Sequence, residues 1–161
     1  MQVKEYGFSF EVYEDARELQ PDDADLLRQA RAITKNAYAP YSHFRVGTAA
    51  RLANGQILTG SNQENASFPA GLCAERVLLA AAASLYPKMP IDTLAVSYYN
   101  EQGPSDRPIS PCGICRQSLQ EFEHSTGRPV RLVMGGQEGK VYIIPQASLL
   151  LPLAFTADEL I

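Results

Sequence analysis

Residues 44–61 read FRVGTAARLANGQILTGS. Phe44–Leu52 and Gln56–Ser61 are strand-like runs separated by Ala53-Asn54-Gly55, and Asn-Gly between apolar runs is a strong hairpin signal, so the two pair antiparallel. Downstream, Asn62–Leu72 carries turn and loop residues, and Cys73–Leu85 returns to an Ala- and Leu-rich helical pattern ended by Tyr86-Pro87. Ile91–Tyr99 reads as a buried strand and Asn100–Ser110 as a loop. Cys112–His124 is a helix entered through Pro111, with Ile114, Leu119 and Phe122 inward. Arg131–Met134 and Lys140–Ile144 flank a glycine-rich turn as two final strands, and Ala147–Leu151 opens a short C-terminal segment. Upstream, Leu26, Leu27, Ala30, Ile33 and Ala37 recur at three and four residues, which predicts a helix over Asp22–Tyr38 that Pro40 stops. A hairpin followed by helix, strand, helix, strand and strand predicts an α/β fold of three layers, α/β/α, around a mixed five-stranded sheet. Phe8, Phe10 and Val12 alternate with Ser9 and Glu11, a pattern that suits an added edge strand outside those five.

The whole chain bounds what this fold does. At 161 residues it supports one domain, 1–161, with about 1–20 as an N-terminal extension and 21–161 as the core. Hydrophobic residues make up 45% and charged ones 20%, which excludes a disordered or collagen-like chain. The formal charge of −4, with basic residues scattered from Lys4 to Lys140, argues against a nucleic acid polymer as partner. No apolar run approaches the roughly 20 residues of a membrane span, and Met1–Phe10 lacks the apolar block of a secretory signal. The expected location is the cytoplasm, with no membrane partner.

Three cysteines carry the chemistry. Cys112 and Cys115 fall within the first turn of a predicted helix, and Cys73 opens another, so three sulfurs can converge at adjacent helix starts and leave a fourth tetrahedral position open for water. A metal lowers the pKa of bound water, and a neighbouring carboxylate can move protons between that water and a leaving group; Glu75, two residues past Cys73, is placed for this. A divalent cation held by three thiolates is left with one net negative charge. The helix N-termini and Arg76, a donor to a thiolate sulfur, offset that excess and tune the metal.

These residues resemble the cytidine deaminases, zinc enzymes for which a three-cysteine site and a non-ligand glutamate are known. The resemblance rests on Tyr41-Ser42-His43-Phe44-Arg45-Val46-Gly47, Gly60-Ser61-Asn62-Gln63-Glu64-Asn65-Ala66-Ser67, Cys73-Ala74-Glu75-Arg76 and Pro111-Cys112-Gly113-Ile114-Cys115-Arg116-Gln117. With Leu150-Leu151-Pro152-Leu153-Ala154-Phe155 it spans about Asp25 to Leu160. It implies that Cys73, Cys112 and Cys115 hold one Zn²⁺ per chain and that Glu75 shuttles protons in the hydrolysis of cytidine and deoxycytidine to uridine and deoxyuridine, in pyrimidine salvage. It further implies that Asn62 and Glu64 bond the ribose 3′-hydroxyl, that Phe44 packs against the base and that Ala74 presents backbone to the base's polar edge. A homotetramer with shared active sites is implied as well, Phe155 of a neighbouring subunit closing each pocket. Phe68 stands where many relatives have Tyr.

Other readings fit part of the pattern. Free cysteines are often small core residues. Cys112-Gly113-Ile114-Cys115 at a helix start also suits a thioredoxin-type dithiol, a reading that leaves Cys73 and Glu75 unused. A structural zinc knuckle needs a fourth ligand, and His43 and His124 lack the spacing. A related aminohydrolase acting on a blasticidin-like aminopyrimidine nucleoside is the nearest alternative activity. Arg116 either braces the second cysteine loop or lies on the surface.

Overall fold

The strands are β1 (Glu11–Tyr13), β2 (Phe44–Leu52), β3 (Ile57–Ser61), β4 (Ile91–Asn100), β5 (Arg131–Gly135) and β6 (Val141–Ile144), and the helices are α1 (Pro21–Ile33), α2 (Ala74–Leu85) and α3 (Gly113–Thr126). They are seen in a computed structural model that describes residues 1–160. The sheet runs in the order β1-β6-β5-β4-β2-β3. Among the strand pairs of the described residues β4–β5 alone is parallel, with Ala95 opposite Val133, so the sheet is mixed.

The hairpin forms as its sequence dictates. Arg51 lies opposite Ile57, and Gly55 takes the left-handed conformation, φ 83°, that a side chain would resist. Alternation along β4 then builds two cores. Ala95 and Val133 face Leu26, Leu27 and Ala30 of α1, whereas Leu94, Val96, Leu132 and Met134 face Leu78 and Ala82 of α2 and Leu119 and Phe122 of α3. The expected three layers, α/β/α, follow.

The structure corrects the sheet from five strands to six. The sixth is β1, which pairs antiparallel with β6, Val12 opposite Tyr142, and it realises the edge suggested by the alternation at Phe8–Val12 in a shorter form. The first helix ends at Ile33 and continues only as a 3-10 turn, Thr34–Asn36, short of Tyr38. Tyr38 is taken by the extension of β3: its N–H donates to Asn62 O at 3.0 Å and its carbonyl accepts Glu64 N–H at 2.8 Å, and neither bond is compatible with helix. Ile114, expected inward, is 62% exposed. The buried stripe of α3 runs Cys115, Leu119, Phe122, and Ile114 is one position, about 100°, out of phase with it. Among the described residues no helix is long and apolar enough to cross a membrane.

Candidate active site

Two helix starts meet on one side of the sheet. Cys73 occupies the N-cap position of α2 and Cys112 that of α3, neither using its side chain as a cap, and Cys115 lies in the first turn of α3. Their sulfurs lie within 4.8 Å of one another, with Cys73 Sγ 3.6 Å from Cys112 Sγ and Cys112 Sγ 3.4 Å from Cys115 Sγ. Tetrahedral zinc with Zn–S of about 2.3 Å sets its sulfurs about 3.8 Å apart, so the cluster is close to the geometry that ion demands. Among the described residues, the group consists of these three cysteines alone, and it therefore suits a site with an open position better than a closed knuckle. Among the described residues no further sulfur or imidazole joins the cluster, and a two-cysteine redox centre would leave Cys73 unexplained.

Charge points the same way. Hydrogen bonds from Cys115 and Cys112, aided by the Arg76 charge, hold the Cys73 thiol down to about 6. Cys115 is pushed strongly upward by its bond to Cys73, by burial and by the negative charge of Glu75. The chain alone therefore stabilises one thiolate at the expense of its neighbour. A divalent cation removes that conflict, because all three sulfurs can then ionise together.

Glu75 is 4% exposed and lines the cleft beside Cys73. Burial first, and then the Cys73 charge, raise its carboxyl above the ordinary value. The start of α2 is held close against the sheet. Thr48 Oγ1 lies within donating reach of Ala74 O at 3.2 Å and Gly60 O at 3.3 Å, its single proton shared between them, and a Cβ on Gly60 would lie 2.7 Å from Ala74 O. Arg76 makes no hydrogen bond to a sulfur among the described residues; it acts on Cys73 through its charge.

The cleft of about 360 Å³ is lined by Phe44, Asn62, Glu64, Ala74, Glu75, Cys73 and Cys112 among others, so residues of all four motif blocks converge on it, while Cys115 lies buried behind Cys112 and Arg76 is not part of the wall. Glu64 Oε2 accepts the N–H groups of Tyr41 at 2.9 Å and Ser42 at 3.3 Å. Burial alone would raise this carboxyl, but the donors from Ser42 and Tyr41 outweigh it and hold Glu64 below its ordinary value. The Asn62 amide is committed to β2: Oδ1 accepts Val46 N–H at 2.7 Å and Nδ2 donates to Phe44 O at 3.0 Å. It thereby fixes Phe44, and its second N–H and second lone pair remain available to a ligand.

Phe44 stacks on Tyr98 with centroids 4.9 Å apart and planes 15° from parallel. Tyr98 was not singled out from sequence. Only the β2–β4 register, Val46 opposite Tyr98, brings it there. Val46, Leu72, Ile109 and Ser110 also line the cleft unforeseen; for Ser110 the adjacency to Pro111-Cys112 was the available signal. Phe155 does not line the cleft of its own chain. It is 60% exposed, its carbonyl accepting Gln117 Nε2 at 2.9 Å.

Comparison with known proteins agrees with this geometry. Residues 20–128 match the family model described as the cytidine and deoxycytidylate deaminase zinc-binding region. The chain is 35% identical over 135 residues to the cytidine deaminase of Halalkalibacterium halodurans, covering 84% of this chain and 95% of that one. It is 42% identical over 99 residues to the cytidine deaminase of Mycoplasma genitalium, covering 62% and 72% respectively. Among solved structures, the cytidine deaminase from Burkholderia pseudomallei superposes with a TM-score of 0.71 at 35% identity, covering 81% of this chain and 97% of that one. Three thiols at two helix starts, a buried glutamate beside them and these matches together place the chain in the cytidine and deoxycytidylate deaminase family, whose zinc-binding region it contains.

Proposed function

We propose that this protein is a zinc-dependent hydrolytic deaminase of free cytidine and deoxycytidine, producing uridine or deoxyuridine and ammonia for pyrimidine salvage. The observation that carries the reading is the juxtaposition of three convergent thiols with a buried carboxyl, Glu75, at the inner end of a nucleoside-sized cleft. Cys73, Cys112 and Cys115 would hold the zinc, which supplies an acidified water and positive charge next to the base. Glu75 would carry one proton of the attacking water to N3 of the base and the remaining hydroxyl proton to the 4-amino nitrogen, so that the C4–N bond breaks, ammonia leaves and the water oxygen stays on C4 as the carbonyl. A carboxyl raised by burial suits that exchange, because its proton affinity lies nearer that of its partners. Arg76 moderates the sulfur charge.

Phe44, backed by Tyr98, offers a flat face to the pyrimidine, and Ala74 offers backbone to its polar edge. A carboxylate has about four acceptor positions, of which Glu64 spends two on the Tyr41 and Ser42 amides; with Asn62 it retains capacity for a ribose hydroxyl. An acceptor of this kind, half-buried in the cleft wall, is left without its donor by a sugar whose hydroxyl is esterified, which favours the free nucleoside over a strand. Phe68 and Leu72 on the cleft wall, with Ile114 and Phe155 exposed elsewhere on the chain, are apolar surface that supports assembly into a homotetramer with shared sites. A cytoplasmic location belongs to the same reading. Ultraviolet-monitored loss of cytidine tests the activity: turnover that a strong chelator abolishes and added zinc restores is expected. Indifference to cytidine, or turnover untouched by complete zinc removal, overturns the reading.

A further inference from the structure

Arg116 follows Cys115 directly, and its partly buried guanidinium joins two separate parts of the chain. Nε donates to Pro111 O at 2.9 Å and Nη1 to Leu150 O at 2.9 Å. Pro111 is itself buried and immediately precedes Cys112, in a loop whose Ile109 and Ser110 wall the cleft. Leu150 ends the short turn Ala147–Leu150, from which the chain runs out to Phe155. The next helical residue, Gln117, secures the far end of that arm through Phe155 O at 2.9 Å. At the near end the buried Glu123 carboxylate accepts Ala147 N–H at 3.0 Å and Ser148 N–H at 3.3 Å. All three anchors lie on α3, but Arg116 alone among them also grips the cysteine loop.

We propose that Arg116 is a positioning residue that fixes the C-terminal arm, residues 150–155, against the loop bearing Cys112, so that Phe155 is presented at a set distance to the substrate pocket of a neighbouring copy. The inference rests on the deaminase reading and its shared site. The guanidinium suits the task because its planar fork satisfies two carbonyls in fixed directions, which a lysine ammonium on a flexible stem does not reproduce. Arg116 touches no substrate, and it acts through the arm.

The zinc-loaded oligomers of Arg116→Lys, Phe155→Ala and the double variant are compared in steady-state cytidine kinetics and in limited chymotrypsin digestion. Losing one of the two bonds is expected to raise KM about tenfold while kcat per bound zinc changes by less than about threefold. The double variant should show no higher KM than Phe155→Ala alone, since both changes act through one ring, and cleavage after Leu153 or Phe155 should be faster in Arg116→Lys. An unchanged KM in Arg116→Lys, additive KM effects, a silent Phe155→Ala or an unchanged digestion rate each overturns the proposal; a purely stabilising arginine would lower the melting temperature alone. Gln117→Ala, which releases only the end of the arm, covers the case of a variant that does not fold and should shift KM in the same direction. A wild-type protein that ignores cytidine removes the deaminase reading, while the digestion rates still decide whether Arg116 anchors the arm.

Discussion

A carboxyl buried beside three sulfurs is costly unless its surroundings give it a use. Glu75 has its proton affinity raised chiefly by burial, so in the metal-free chain the folded state retains a proton that the unfolded chain releases near 4.5. Below that value both states are protonated and the group costs little. As pH rises above it, the unfolded state ionises first and folding stability falls, until the folded-state carboxyl ionises as well. Glu75→Gln should therefore raise the melting temperature of the chelator-treated protein at neutral pH and leave it nearly unchanged at pH about 4, the unfolded state setting the lower edge of the window. The same substitution should retain about one zinc per chain by elemental analysis and lower kcat by about 10²–10⁴, the usual range for a lost proton-transfer group. A fully active Glu75→Gln would remove the residue from the proposed chemistry.

At the scale of elements, the site depends on how tightly the start of α2 lies on the hairpin. The near contact of Gly60 with Ala74 O leaves no room for a methyl group, so Gly60→Ala must displace the first turn of α2 and with it Glu75. A loss of about 1–3 kcal/mol is expected, read as a lower urea midpoint at constant slope, with a fall in turnover although Gly60 is remote in sequence from every cysteine. A midpoint equal to wild type would show that the helix accommodates the change. This contact also shows where the sequence stops being legible. Hairpin, helices and central strands could be read because each carries its own period or turn signal, and the cysteine blocks because their spacing is local. Tyr98 behind Phe44 depends on the register of β2 against β4, and the end of α1 depends on Tyr38 being captured by residues 62–64, both long-range pairings that no local pattern encodes. Ile114 falls outside the stripe for a local reason: Cys115, Leu119 and Phe122 are spaced four and three apart and share one face, from which Ile114 is turned by about 100°.

For the whole molecule, the isolated chain presents an arrangement that is unfavourable by itself. Leu153 is 100% exposed and adopts φ 54°, so a large apolar side chain meets water from a backbone conformation that leucine resists. Asparagine tolerates that conformation far better, and among the described residues no contact covers the leucine side chain. A contact in the assembly would reward it, since Leu153 lies in the arm that ends at Phe155, and Phe68 and Leu72 leave the rim of the cleft similarly apolar. Leu153→Asn separates the two contributions, because it relieves strain of about 1–3 kcal/mol in the single chain while removing apolar area from the interface. Sedimentation velocity should show the variant shifted toward smaller species at concentrations where the wild type is fully assembled. Activity per chain should also fall on dilution more steeply than in the wild type, because a pocket closed by a neighbour is complete only in the oligomer. Identical sedimentation of the two proteins, with a more stable variant, would mean that Leu153 faces solvent in the working enzyme and takes no part in assembly.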